Sequence, residues 1–158
     1  FLIEHLLPAP LQGTYHERNF SYLYIANKSR FPMDIIELRD FCLSLPHAEE
    51  ATPFDETTLV YKIGGRIFAL TDMEDSGRIN LKCDPDRAIE LRERHPEIVP
   101  GWHMNKRHWN TVTTDGDLPD EMVREMIRDS YRLVFRSLPR TVQRELAAPE
   151  NGETPWNG

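Results

Sequence analysis

Hydrophobic residues along this chain fall into helical and strand spacing in turn. From Met33 the pattern is helical: Ile35, Ile36, Leu38, Phe41, Cys42 and Leu45 predict a first helix of about three turns, stopped by Pro46. Leu59, Tyr61 and Ile63 then alternate with Thr58, Val60 and Lys62, which is strand periodicity. Gly64-Gly65 supplies the positive φ angles of a tight hairpin, and the return strand Arg66–Thr71 is apolar on both faces, as a central strand would be. After a turn at Asp75-Ser76-Gly77, Ile79, Leu81 and Cys83 alternate with Arg78, Asn80 and Lys82, completing a three-stranded antiparallel meander.

Helical spacing returns at Asp84-Pro85, an acceptor at the cap followed by proline at the first helical position. Ala88 and Leu91, flanked by Ile89, give this helix its apolar side, and it ends near His95-Pro96. Residues 102–105 and 109–113 are expected to be two short extended stretches around Lys106-Arg107-His108. Asp115-Gly116 turns the chain, and Pro119 opens a long last helix with the stripe Met122, Val123, Met126, Ile127, Tyr131, Val134 and Leu138. The order helix, three strands, helix, two strands, helix predicts an α+β fold, an antiparallel sheet with helices packed on one face.

Residues 1–32 lack sustained periodicity and run through Pro8, Pro10, Gly13 and Pro32. They are expected to be a poorly ordered N-terminal extension, translated from sequence upstream of a start at Met33. The apolar stretch at Phe1–Leu7 lacks the basic region and small-residue cleavage site of a signal peptide. Residues 149–158 have turn composition and are expected to be a flexible tail. The domain is thus placed at 33–148.

The chain carries 19 Lys and Arg against 26 Asp and Glu, net −7, and residues 33–148 alone carry 16 against 22, net −6. A field of that sign repels phosphate and anionic lipid at long range, so any nucleic-acid contact needs a local basic patch. No apolar run approaches the roughly 18 residues that span a bilayer, and no membrane partner is expected. Cys42 and Cys83 lie far apart in apolar patterns, outside any CxxC or Cys/His cluster. They are expected to be buried structural thiols in a reducing, cytoplasmic setting.

The run Leu81-Lys82, the helix ending Leu91-Arg92…His95-Pro96, Val99-Pro100 and His103-Met104-Asn105-Lys106…His108-Trp109 resembles the central signature of the MmcQ/YjbR family of bacterial proteins. Val112, Asp115-Gly116, Leu118-Pro119-Asp120 and Ser130-Tyr131 continue it. Upstream, Cys42, Leu45-Pro46, Ala48-Glu49-Glu50 and Lys62-Ile63-Gly64-Gly65-Arg66-Ile67-Phe68-Ala69 fit as well. The likeness covers essentially all of Met33–Leu146. It implies a CyaY-like (frataxin-like) fold, and members of the family are generally labelled DNA-binding.

On that expectation the contact surface is the open sheet face together with the 103–109 corner. Arg78, Asn80 and Lys82 share the strand face opposite Ile79, Leu81 and Cys83. In the corner, Lys106 and Arg107 would meet phosphate, Asn105 a base edge, and His103, His108 or Trp109 would add polar or stacking contacts. The competing account is a strand–turn–strand corner with Met104 and Trp109 in the core and Lys106-Arg107 solvated. A protein or small ligand on the same surface is the alternative to DNA.

Other constellations favour bland accounts. Arg124, Arg128, Arg132, Arg136, Arg140 and Arg144 recur every four residues, but Glu121, Glu125 and Asp129 are interleaved at ion-pair spacing, predicting a salt-bridged solvent face. Asp34, Glu37, Asp40, Glu49-Glu50 and Asp55-Glu56 could bind a hard cation weakly, though helix-start acidity explains the first of them. His95, His103 and His108 have no fixed ligand geometry. There is no GxSxG, HExxH or GxxxxGK[ST], Gly64-Gly65 is a hairpin turn, and Cys42 has no basic neighbour. No enzymatic activity, metal or cofactor is therefore expected.

Overall fold

A computed structural model gives the fold and describes residues 33–148. The expectations for residues 1–32 and 149–158 lie outside the described residues. The elements, in chain order, are α1 (Ile35–Ser44), β1 (Glu49–Ala51), β2 (Thr58–Ile63), β3 (Arg66–Asp72), β4 (Arg78–Lys82), α2 (Pro85–Arg94), β5 (Ile98–Pro100), β6 (Trp109–Thr113), α3 (Asp120–Ser137) and α4 (Arg140–Ala147). The class is α+β: one six-stranded antiparallel sheet in the order β1-β2-β3-β4-β6-β5, with helices on one face.

Local chemistry sets the boundaries. Asp34 accepts from the Glu37 amide at 2.9 Å while the Glu37 carboxylate accepts from the Asp34 amide at 3.3 Å, a reciprocal cap that starts α1. Asp84 accepts from the Asp86 and Arg87 amides ahead of Pro85, which starts α2. Gly64 and Gly65 have φ of +56° and +80°, the left-handed values that close the β2–β3 hairpin. A Cβ on Gly64 would also lie 2.7 Å from a Leu138 methyl, so the hairpin abuts the end of α3.

The core lies between the sheet and helices α1–α3. Tyr61, Ile63, Phe68, Ile79, Leu81, Ile98 and Val112 meet Leu38, Cys42, Leu91, Val123, Ile127, Tyr131 and Val134. Three elements depart from the sequence expectation. The chain before β2 adds the edge strand β1, pairing Glu49–Ala51 with Lys62–Val60. The other edge strand is Ile98–Pro100, not residues 102–105, because Trp102–Met104 turn away and Gly101 bonds back to the Trp109 carbonyl at 2.8 Å. At Pro139 the chain leaves α3, and α4 follows as a separate short helix.

The β3–β4 ladder pairs Ala69 with Leu81 and stops one step short of Phe68 and Lys82. The buried Ser130 hydroxyl of α3 fills the gap: it accepts from the Lys82 amide at 2.8 Å and donates to the Phe68 carbonyl at 2.5 Å. Phe68 stands at an irregularity in the β2–β3 register, beside Tyr61/Lys62, so this helix side chain completes a sheet where the strands diverge.

Candidate functional site

Alternation along the strands sends Thr58, Val60, Leu70, Asp72, Arg78, Asn80, Lys82, Trp109 and Thr111 to the face away from the helices. The segment between β5 and β6 folds over part of that face. It is a built corner. The Asn105 side-chain oxygen accepts from the Arg107 amide at 3.0 Å, and the Asn105 carbonyl accepts from the amides of His108 and Trp109. From beneath, the Arg92 guanidinium of α2 donates to the Lys106 carbonyl, to the Trp109 carbonyl at 3.2 Å, and to the Asn110 side-chain oxygen at 2.7 Å. His103 adopts a left-handed backbone with φ of +55° at the apex, unusual for a residue with a side chain.

This corner walls a groove of about 590 Å³. Trp102, His103 and Met104 form one side, Phe54 and Asp55 the other, and Leu70, Asn80 and Thr111 the floor. Phe54 and Trp102 are 66% and 65% exposed, an unusual degree for large aromatic rings. A hydrogen-bond chain orders the floor: the Trp102 amide donates to the Thr111 hydroxyl at 2.8 Å, and that hydroxyl donates to the Asn80 side-chain oxygen at 2.5 Å. With its oxygen engaged, Asn80 has its two amide hydrogens left to donate.

Acidic residues gather at the Arg78 end of the groove, and each already has work in the fold. Asp55 accepts from the amides of Thr58 and Thr57 and from the Thr58 hydroxyl, bonds that hold its carboxyl below the ordinary carboxylate range. Asp72 accepts from the Glu74 amide at 2.9 Å, and Asp75 pairs with Arg78 at 3.5 Å.

The expected contact residues therefore separate. Arg78, Asn80 and His103 line the groove. Lys82 sits at the other end of β4, opposite Trp109, and the Cys83 amide bonds the His108 carbonyl. Four residue steps of strand, about 13 Å, separate Arg78 from Lys82. Lys106 and Arg107 are exposed at the tip of the corner, and neither they nor Lys82 form an ion pair among the described residues. Asn105 is engaged in shaping the turn. Trp109 and Met104 are half-buried and not in the core, because both lie on the sheet face opposite the helices, where Gly101 packs against them. Sequence reasoning missed Phe54, Trp102, Thr111 and Arg92, since no local pattern marks an isolated aromatic or a hydroxyl whose value comes from across the sheet.

Residues 43–133 match the YjbR family model. The chain belongs to the YjbR family. Relatives include YbdF of Escherichia coli O157:H7, 37% identical over 105 residues (66% of this chain and 86% of the relative). YjbR of Escherichia coli K12 is 34% identical over 108 residues, covering 68% of this chain and 92% of its own length. Among solved structures, Deinococcus radiodurans protein DR2400 superposes with a TM-score of 0.70 at 43% identity, over 80% of this chain and 98% of that one. A Pseudomonas syringae protein superposes with a TM-score of 0.57 at 26% identity, over 65% and 99%.

Away from the groove, several charges of this YjbR-family domain have structural partners. Arg128 bonds Glu121 at 2.9 Å and Glu125 at 2.8 Å, and Arg132 bonds Glu125 at 3.0 Å and Asp129 at 2.9 Å, the salt-bridged face anticipated for α3. Arg39 forms a two-pronged pair with Glu50 at 2.6 and 2.7 Å. Cys42 is buried as expected, whereas Cys83 is only half-buried because β4 ends at Lys82 and the thiol lies at the edge of the core. Among the described residues no group of three or more His, Cys, Asp and Glu side chains could hold a metal ion, and no helix is long and apolar enough to cross a membrane.

Proposed function

We propose that this domain is a non-enzymatic, cytoplasmic binding module whose ligand is a small planar, uncharged heteroaromatic molecule held in the groove on the sheet. The observation that carries this reading is the pair Phe54 and Trp102, both strongly exposed and both lining one groove over the Asn80 amide. Exposed aromatic faces offer stacking at low conformational cost, and a fixed amide offers a directed donor to a ring edge. The carboxylates of Asp55, Asp72 and Asp75 outnumber Arg78 around the groove, which disfavours an anionic ligand.

The test is tryptophan fluorescence of the full chain titrated with adenosine. Saturable quenching is expected, with Trp102→Ala removing it and Asn80→Ala weakening it. No change with adenosine, or an unaltered titration in Trp102→Ala, refutes the proposal.

Duplex DNA is the second reading, favoured by one observation: Lys82, Lys106 and Arg107 stand at one end of the sheet without carboxylate partners among the described residues. Three phosphate contacts would give a slope of about −3 in log K against log salt. Anisotropy of a labelled duplex, wild type beside Lys106→Glu/Arg107→Glu at low and physiological salt, decides it. Equal curves for the two proteins exclude this surface.

A further inference from the structure

The helix side of the sheet holds a second cavity, separate from the groove, of about 240 Å³ between α2, α3 and strands β4 and β6. Part of its lining is apolar: Leu81, Leu91, Val112, Met122 and Met126. Asn110 also lines it, although only 2% of that residue is exposed and its cross-strand partner is Leu81. The Arg92 Nε–H donates to Asn110 Oδ1 at 2.7 Å, and since a guanidinium can only donate, this bond fixes which end of the amide is oxygen. The Asn110 NH₂ group then bonds no acceptor among the described residues. The sealed, unpartnered side-chain oxygens among the described residues are those of Tyr61, Thr71 and Thr114, and the Asn110 nitrogen is not one of this kind, because its residue borders the cavity.

The charges around the cavity are not evenly committed. Asp84 is engaged as the α2 cap, and Glu125 and Asp129 bond Arg128 and Arg132. Arg87 pairs with Glu90. Lys82 and Arg136 line the cavity, neither with an ion pair among the described residues, and the Arg92 charge lies directly behind Asn110.

We infer that this cavity binds a small aliphatic monocarboxylate, its carboxylate accepting from the Asn110 amide beside Arg92 and its chain lying against Leu81, Leu91, Met122 and Met126. An anion is favoured over a neutral acceptor because the nearest charge behind the donor is positive, and a charged acceptor makes the stronger bond. A cation would meet only donors at this end.

The test is NMR titration of the full chain with sodium octanoate and, separately, octylammonium chloride at neutral pH. Octanoate is expected to shift the Met122, Met126 and Leu91 methyl signals saturably, and octylammonium is not. Asn110→Asp keeps an acceptor for Arg92, and so keeps the fold, but replaces the donor with a second carboxylate. It should weaken octanoate at least tenfold with the spectrum otherwise preserved. Equal binding of the two amphiphiles, no binding of octanoate, or undiminished affinity in Asn110→Asp would overturn the inference. The adenosine response reads Trp102 on the opposite face, so either result stands without the other.

Discussion

Replacing Ser130 with alanine removes a single oxygen from the middle of α3, and its effect should be felt in the sheet. The side chain is fully buried, and its hydroxyl is the link between the Lys82 amide and the Phe68 carbonyl. Without it both groups stay buried with no neighbouring strand to take them, because the ladder has already ended at Ala69 and Leu81. Each stranded group costs about 1–3 kcal/mol. Alanine recovers a few tenths of a kcal/mol of helix propensity, so the net loss should be about 2–5 kcal/mol, a large share of the 5–15 kcal/mol typical of a domain. Urea unfolding should show a lower midpoint at unchanged slope, since the surface exposed on unfolding is the same. Hydrogen exchange should show the Lys82 amide losing protection. A loss below about 0.5 kcal/mol with Lys82 still protected would mean that the oxygen does not bridge the strands.

Burial pushes the Cys42 thiol up to about 12 and raises that of Cys83 as well, so at pH 8 a thiol reagent should label the folded protein slowly and two thiols should appear on denaturation. A Cβ on Gly101 would sit 2.8 Å from Trp109 Cβ and 3.0 Å from Met104 Cβ, so Gly101→Ala should cost about 1–3 kcal/mol in thermal unfolding and loosen the wall of the groove. Asp55, through the Thr58 and Thr57 amides, and Glu125, through Arg132 and Arg128, have carboxyls held below their ordinary values. Their contribution is therefore complete above the unfolded values near pH 4 and disappears as pH falls through the folded ones. Melting temperature should be flat down to about pH 4.5 and fall below it, and Asp55→Asn, which still caps the turn, should make that fall shallower.

The readable parts of the fold are those whose signals are local. The Asp34 and Asp84 caps, the paired glycines at 64 and 65, and the period-two strands at 58–63 and 78–82 each lie within a few residues of what they determine, and each is where its pattern puts it. The edge strands were not legible. Glu49–Ala51 has no β-like composition and is a strand because β2 offers it a free edge. Residues 102–105 have an extended-looking composition, yet the Arg92 guanidinium and the Gly101–Trp109 hydrogen bond commit them to the corner. The 0% exposure of Ser130, a polar residue on an apolar stripe, likewise has its cause 48 and 62 residues away, at Lys82 and Phe68.

The two candidate sites depend on the same kind of distant cause. Asn80 and Asn110 stand on adjacent antiparallel strands, one register position apart, and so point to opposite faces of the sheet. A sequence reader sees Asn80 as one polar position in a basic strand, and Asn110 as a polar residue following a tryptophan. Structure gives each the same arrangement: a side-chain oxygen held by another residue, Thr111 for one and Arg92 for the other, on an asparagine that lines a cavity. Neither hydroxyl nor guanidinium lies within a helical or strand period of the asparagine it orients: Thr111 neighbours Asn110 but serves Asn80 across the ladder. Both proposed sites rest on how the strands are paired, and it follows that a register shift between β4 and β6 would disarm both faces at once.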